Sequence, residues 1–303
     1  MSDRAAKGVL VTGASRGLGL EIALGVAQAG FRVFAGVRGP DHADSVQQAG
    51  KKRGVDLQPV FLDVTDPASV DAAVQSIAAQ GPLYGLVNNA GITGRAYFED
   101  FPEDKIRQIF EVNVFGTMNV TRRVLPVLRA AGAGRIITLT SIGGRIGTMG
   151  LAPYIASKFA LEGFNESLWL EMKPFGVDVV IVEPGMVKTD IWDESRRVLP
   201  EARHPGSAYS ALFTRAEELA SGALNSSRLS PKDVAGTVVR AITAKRPRLR
   251  YIVGKRAGFV VALRRHLPGE LFERFYFGEV LRRLTAKPGP RIPAAVADLR
   301  VKE

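Results

Sequence analysis

The sequence predicts an α/β chain: one open, doubly wound parallel sheet with helices on both faces and a helical extension at the C-terminus. Three observations carry this. Short β-branched runs alternate with longer stretches of helical period from Gly8 to Gly185, a pattern that packs as a parallel sheet covered on both faces. A glycine-rich turn separates the first strand from the first helix. Two amphipathic stretches follow the last strand. With 303 residues, 46% of them hydrophobic, the chain can bury one large core or two modest ones.

The elements follow in order. GVLVT (8–12) is an apolar run, and LGLEIALGVAQAG (18–30) has helical spacing with Gly30 as its stop. FRVFAGV (31–37) and LQPVFLDV (57–64) read as strands. DPASVDAAVQSIAAQG (66–81) is a helix with Asp66 as cap and Pro67 at its first position. YGLVNN (84–89) is a strand, and residues 102–132 form a long helix or a bent helix pair. GRIITLTS (134–141) is a strand, 153–176 a helix and VDVVIVEPG (177–185) a strand. Residues 186–230 hold turn formers and short helical pieces. Residues 230–247 make a helix capped by Ser230, and LRYIVG (249–254) is the last strand. The expected organisation is a catalytic unit over 1–256, with 186–230 as its substrate-binding segment, and an extension over 257–303.

Composition excludes several chemistries. There is no cysteine, hence no disulfide, thiolate nucleophile or thiolate metal site. His42, His204 and His266 lack ligand spacing, so no metal is expected. No leader pattern precedes the first strand and no apolar run is long enough to span a bilayer, so a cytoplasmic location is expected. The net charge of +11 is uneven: Arg240 to Glu303 holds 16 Lys/Arg against 5 Asp/Glu, and the rest is neutral.

TGASRGLG (12–19) sits at a strand-to-helix turn. Gly13, Gly17 and Gly19 let the backbone approach a pyrophosphate, and the helix start offers free N–H groups and its positive dipole end. Ser15, Arg16 and Leu18 complete the loop. An acid usually ends the second strand in NAD binders. Here Val37 stands there, followed by Arg38. With Arg16 in the loop, two guanidinium groups suit a ribose 2′-phosphate, so NADP(H) is the expected cofactor.

A second constellation is Ser141, Tyr154 and Lys158. Tyr154 and Lys158 share a helix face at i, i+4, and Ser141 ends the preceding strand at the sheet's carboxyl edge, where ligands bind. Hydride transfer to a carbonyl leaves an alkoxide that needs a proton. Tyr154 can supply it, Ser141 can hydrogen-bond the substrate oxygen, and the Lys158 ammonium should lower the phenol's pKa.

Together with NNAG (88–91), Asn113 in FEVNVFG and PGMVKT (184–189), these motifs resemble the short-chain dehydrogenase/reductase family over about residues 8 to 254. SIGG and YIASKFALEG look most similar to its branch with 17β-hydroxysteroid and retinol dehydrogenases. The resemblance implies a Rossmann fold and a Ser141–Tyr154–Lys158–Asn113 site. Lys158 would also hold the nicotinamide ribose, and Asn113 would hold a relay water. It puts Asp63 and Val64 at the adenine and Asn89, Ala90 and Gly91 along the cofactor. Pro184, Gly185, Val187 and Thr189 would surround the nicotinamide. It also implies a homodimer or homotetramer through helices 102–131 and 153–176.

The expected reaction is hydride exchange between NADP(H) and a lipophilic ketone or secondary alcohol. Met149, Leu151, Met186, Ile191, Trp192, Leu199, Tyr209, Leu212 and Phe213 are candidates for an apolar pocket. A non-catalytic NADP(H) sensor is the alternative, which has no need of all four site residues. In 257–286, Val260 and Leu263 mark one helix, Pro268 interrupts, and Leu271, Phe272, Phe275, Val280, Leu281 and Leu284 form a stripe on a second. The preferred reading is a lid over the cleft, ahead of peripheral membrane contact through the arginines. Nucleic acid ranks last, because the stripe serves no phosphate contact.

Overall fold

The computed structural model describes residues 7–188 and 198–285. Seven strands form one parallel sheet in the order β3-β2-β1-β4-β5-β6-β7. They are β1 (Gly8–Val11), β2 (Arg32–Val37), β3 (Leu57–Phe61), β4 (Leu83–Asn88), β5 (Gly134–Leu139), β6 (Val177–Pro184) and β7 (Arg250–Val253). The helices are α1 (Gly17–Gln28), α2 (Pro40–Lys52), α3 (Pro67–Ala79), α4 (Glu103–Phe110), α5 (Gly116–Ala130), α6 (Ala152–Met172), α7 (Ser210–Asn225), α8 (Pro231–Thr243) and α9 (Lys255–His266). A last helix, α10, joins Gly269–Phe272, a π turn Glu273–Phe277 and Gly278–Thr285.

The period-two alternation of the strands divides the core between two faces. Val9, Val11, Val33 and Ala35 pack with Ile22 of α1, Val46 of α2 and Val234 of α8. Leu10, Phe34, Leu86 and Ile136 pack with Val70 of α3, Val124 of α5 and Leu168 of α6. Burying each of the valine, leucine, isoleucine and phenylalanine side chains contributes about 1.5–3 kcal/mol. Pro59 sits in β3, the edge strand, where a missing N–H is tolerated. Arg135 of β5 is buried because its guanidinium donates to the carbonyls of Ala241 (2.6 Å) and Ala244 (2.5 Å), closing the C-terminal end of α8. Asp66 caps α3, and Ser230 with Asp233 forms a capping box on α8.

Several expectations shift. The polar segment 40–52 is a helix, although only Val46 and Gly50 are buried. The short pieces after 200 include one helix of 16 residues, α7. Residues 102–132, expected as a long helix or a bent helix pair, are two α-helices joined by a π turn, Glu111–Phe115, that carries Asn113. Strand β5 ends at Leu139, so Ser141 lies just beyond it.

The C-terminal stripe is also corrected. Phe272 and Leu284 are buried, and Phe272 packs with Ile146 and Val261 and stacks on Tyr276 at 5.1 Å. Leu271, Phe275 and Leu281 are exposed. Leu271 already faces away from Phe272, its buried neighbour, before the π turn, and the wider winding of that turn shifts the residues after it, Leu281 among them, off the 3.6-residue phase. Pro268 does separate the helices, standing at the N-cap of α10.

Candidate active site

Two loop–helix turns at the carboxyl edge of the sheet build the site. The first is the cradle after β1. Gly13 and Gly17 have φ of +64° and +54°, the left-handed region that favours glycine. A Cβ on Gly19 would lie 2.1 Å from the Gly13 carbonyl oxygen, whereas one on Gly17 meets nothing within 4 Å. The loop is thus folded tightly on itself and open above Gly17, where the first N–H groups of α1 emerge. Arg16 occupies the N-cap without a side-chain cap hydrogen bond. The cradle fits a bound pyrophosphate.

The Asn89–Gly91 segment is pinned to this loop. Asn89 Nδ2 donates to the carbonyls of Thr12 (3.0 Å) and Gly13 (3.1 Å), and Thr12 Oγ1 accepts from the amides of Asn89 and Ala90, each at 3.0 Å. Thr12, absent from the expected site residues, is therefore the brace between the two motifs. Val37, Asp63 and Val64 line the neighbouring wall with Ser15 and Leu18. One Asp63 oxygen accepts from the amide and hydroxyl of Thr65, organising the turn before Asp66. Arg16 and Arg38 line the same cleft, are exposed, and have no ion pair or hydrogen bond from their guanidinium groups among the described residues.

The second turn follows β5. Ser141 caps a short 3-10 turn, Ile142–Gly144, by accepting from the Gly143 amide at 3.0 Å, which leaves its hydroxyl hydrogen for another partner. Tyr154 and Lys158 lie one turn apart on α6, with Lys158 Nζ 5.6 Å from the Tyr154 ring centroid. The ammonium donates to the Leu139 carbonyl at 2.9 Å. Burial brings the Lys158 pKa down to about 8, and the Glu162 carboxylate works against that fall. The Tyr154 phenol is pushed up, against the expected fall: burial outweighs the neighbouring Ser141 hydroxyl, which lowers it.

Asn113 is fully buried. Its side chain donates to the Ile92 carbonyl (2.9 Å) and Ser157 Oγ (3.0 Å) and accepts from the Ile92 amide (2.8 Å). Ser157 in turn donates to the Tyr154 carbonyl at 2.6 Å. The amide group thus ties the segment after β4 to the helix that carries Tyr154.

Pro184 at the end of β6 and Gly185 and Val187 after it border the cleft, and Thr189, Ile191 and Trp192 lie outside the described residues. The cleft, about 2330 Å³, runs from Gly13 past Ser141 and Tyr154 to Val260 on α9 and Val280 on α10. Met149, Leu151, Met186 and Phe213 line it as expected. Leu199 and Tyr209 do not: Leu199 packs against the Phe101 cluster, and Tyr209 stacks on Tyr97 at 5.0 Å. Leu212 is likewise not part of the lining. Among the described residues, no group of His, Asp and Glu could hold a metal ion, and no helix is long and apolar enough to cross a membrane.

A sequence model described as short chain dehydrogenase matches residues 7–199. The chain belongs to that family. Among curated relatives, the oxidoreductase YusZ of Bacillus subtilis is 36% identical over 269 residues, covering 87% of this chain and 95% of its own. Retinol dehydrogenase 5 of Mus musculus is 34% identical over 280 residues, covering 88% and 86%. Among solved structures, a short-chain dehydrogenase from Streptomyces avermitilis superposes with a TM-score of 0.76 at 33% identity, covering 93% of this chain and 99% of that one. The actinorhodin polyketide ketoreductase with NADPH gives 0.72 at 29%, covering 85% and 99%.

Proposed function

We propose that this short-chain dehydrogenase is an NADP(H)-dependent ketoreductase, interconverting a lipophilic ketone and its secondary alcohol. The observation that carries the reading is the meeting of Ser141, Tyr154 and Lys158 on one wall of the cleft that the glycine cradle opens. The unpartnered Arg16 and Arg38, with Val37 where an acid would hold a free 2′-hydroxyl, support NADP(H) over NAD(H). The NADPH-bound ketoreductase neighbour supports the same choice.

When bound, the nicotinamide supplies or accepts the hydride. The chain's residues handle the rest. The Ser141 hydroxyl donates to the substrate oxygen and steadies charge as it develops there. Tyr154 gives its phenolic proton to that oxygen in reduction and takes it back in oxidation. The Lys158 ammonium stabilises the phenolate left behind, so proton loss from a half-buried phenol becomes feasible. Asn113 fixes α6 against the segment after β4, and the relay that it serves by family resemblance belongs to this proposal. Ile92, Met149, Met186, Phe213, Val260 and Leu263 give the substrate end an apolar wall, which supports a lipophilic ligand and a covering role for α9 and α10. The proposed unit is 1–256, with α9 and α10 bordering its entrance.

A panel of ketones assayed by NADPH absorbance tests the activity, and Tyr154→Phe tests the assignment. The variant should bind NADPH with unchanged affinity and lose about 10²–10⁴-fold in kcat, the usual contribution of a positioned acid. Retention of most of the rate would remove Tyr154 from its role.

A further inference from the structure

Tyr154, Lys158, Glu162 and Glu166 stand four residues apart on α6, so they form one stripe down the helix. The stripe starts at the cleft, passes through the core at Lys158 and Glu162, each 5% exposed, and resurfaces at Glu166. The buried carboxylate is fully engaged. Glu162 Oε1 accepts from the Thr140 hydroxyl at 2.7 Å, and Oε2 accepts from Arg250 Nε at 3.0 Å. Arg250, on β7, also reaches Glu166 at 2.5 Å and Glu183 at 3.2 Å. Glu183, on β6 and with no exposed surface, meets Arg145 at 3.2 Å, and its second oxygen is buried without a hydrogen-bond partner. A Cβ added at Gly144 would lie 2.9 Å from Glu162 Cγ, so the turn after Ser141 closes directly onto this carboxylate.

Taking carboxylates out of water costs several kcal/mol each, and apolar side chains of like volume serve stability as well or better. Packing alone does not account for two buried acids and two arginines behind Lys158. We propose that Glu162 is a positioning residue for the Tyr154–Lys158 pair: its carboxylate, clamped by Thr140 and Arg250 one turn beyond Lys158, keeps that lysine charged in a dry interior. This rests on the reading of Tyr154 and Lys158 given above.

The coupling acts through space, since the ammonium donates to Leu139 and the carboxylate oxygens are held elsewhere. The charged and titratable groups around it are Tyr154, Lys158 and Glu166 on α6, Arg145 on the turn after β5, Glu183 on β6 and Arg250 on β7. Asn113 and Thr140 carry no charge. The direction of the lysine's pKa agrees: burial lowers it and Glu162 raises it. Glu183 takes up a proton more readily than a free carboxyl, because burial and then the neighbouring Glu162 push it up.

The test is a titration of the Lys158 ammonium by NMR in 15N-lysine-labelled protein, with the signal assigned from Lys158→Met. Glu162→Gln should lower the lysine's pKa by about one unit or more, within the usual effect of a nearby opposite charge. Glu162→Asp should fall between that variant and the native chain. Glu166→Gln, exposed on the same stripe, should leave it unchanged. The alkaline limb of kcat against pH should move to lower pH in the same order, with the rate recovering on the acid side. An unchanged lysine pKa in Glu162→Gln overturns the proposal, as does an equal shift in Glu166→Gln. If Glu162→Gln does not fold, an unchanged value in Glu162→Asp does so. A uniform loss of rate at every pH, with the lysine titration unmoved, would mean a merely structural residue. The titration needs no substrate, so a chain that reduces no ketone yet shows the ordered shifts keeps this assignment and loses the proposed activity.

Discussion

Each residue of the proposed site draws its chemistry from a small number of local contacts. In the proposed mechanism Lys158 depends on the Leu139 carbonyl that holds its ammonium and on the carboxylate proposed to act behind it. The proposed role of Arg38 rests on the opposite circumstance, since no guanidinium hydrogen bond or ion pair among the described residues competes for it. A hydrogen bond to a charged group contributes about 1.5–3 kcal/mol, so Arg38→Asp should cut the NADPH/NADH ratio of kcat/KM by at least about tenfold. An unchanged ratio in parallel assays would assign the 2′-phosphate to other groups. At this scale the sequence was readable where spacing carries meaning: Tyr154 and Lys158 follow from i, i+4, and the glycines follow from a strand-to-helix turn. Glu162 continues the same four-residue spacing and could have been read from it. A lone glutamate on a helix otherwise looks solvated. Glu183 stands beside a proline at a strand end, and nothing in the sequence marks it as buried.

At the scale of elements, periodicity located the strands and most helices to within a few residues. It failed on α2, whose largely polar sequence touches the core at only two positions, and on α10, where a π turn resets the phase. The consequence of that reset is a helix anchored by few side chains, chiefly Phe272 and Leu284. Phe272→Ala should therefore cost about 3–5 kcal/mol locally, the usual loss for a buried aromatic. We expect the KM for bulky ketones to rise while the Kd for NADPH stays constant. Hydrogen exchange in α9 and α10 would report the loosening. Equal protection in variant and native chains, with unchanged KM, would show that these helices do not cover the substrate.

For the whole molecule, the family resemblance implies assembly through the helices that carry the site. Phe115 at the end of the π turn, and Phe159 and Leu170 on α6, expose apolar surface that a second copy could cover. Light scattering at micromolar concentration should give a dimer or tetramer, and a monomer alone would contradict this. The buried ionisable groups also shape stability against pH. Glu183 is raised from 4.5 to about 7, burial being the largest cause. The native chain thus holds a proton there that the unfolded chain releases, and this contribution is lost as pH rises from about 4.5 to about 7. Lys158, lowered from 10.5 to about 8, costs stability that is recovered between about 8 and about 10.5. Thermal melts across the acid range should show Glu183→Gln with a flatter decline than the native chain, and an identical slope would refute the assignment.

The strand order has one further consequence, which concerns how the chain reaches its fold. β1 is synthesised before the strands it pairs with yet lies inside the sheet, with β2 on one side and β4 on the other. Gly8 meets Leu83 across that second edge, so a growing chain keeps one row of β1 amides unsatisfied until β4 has emerged. Every pairing in the sheet is parallel and none is closed by a hairpin, so each strand joins through a long loop whose closure entropy precedes any gain. The Thr12–Asn89 brace spans the same gap. The cradle loop is therefore made well before β4 but takes its final shape only after the β4 segment has docked beside it.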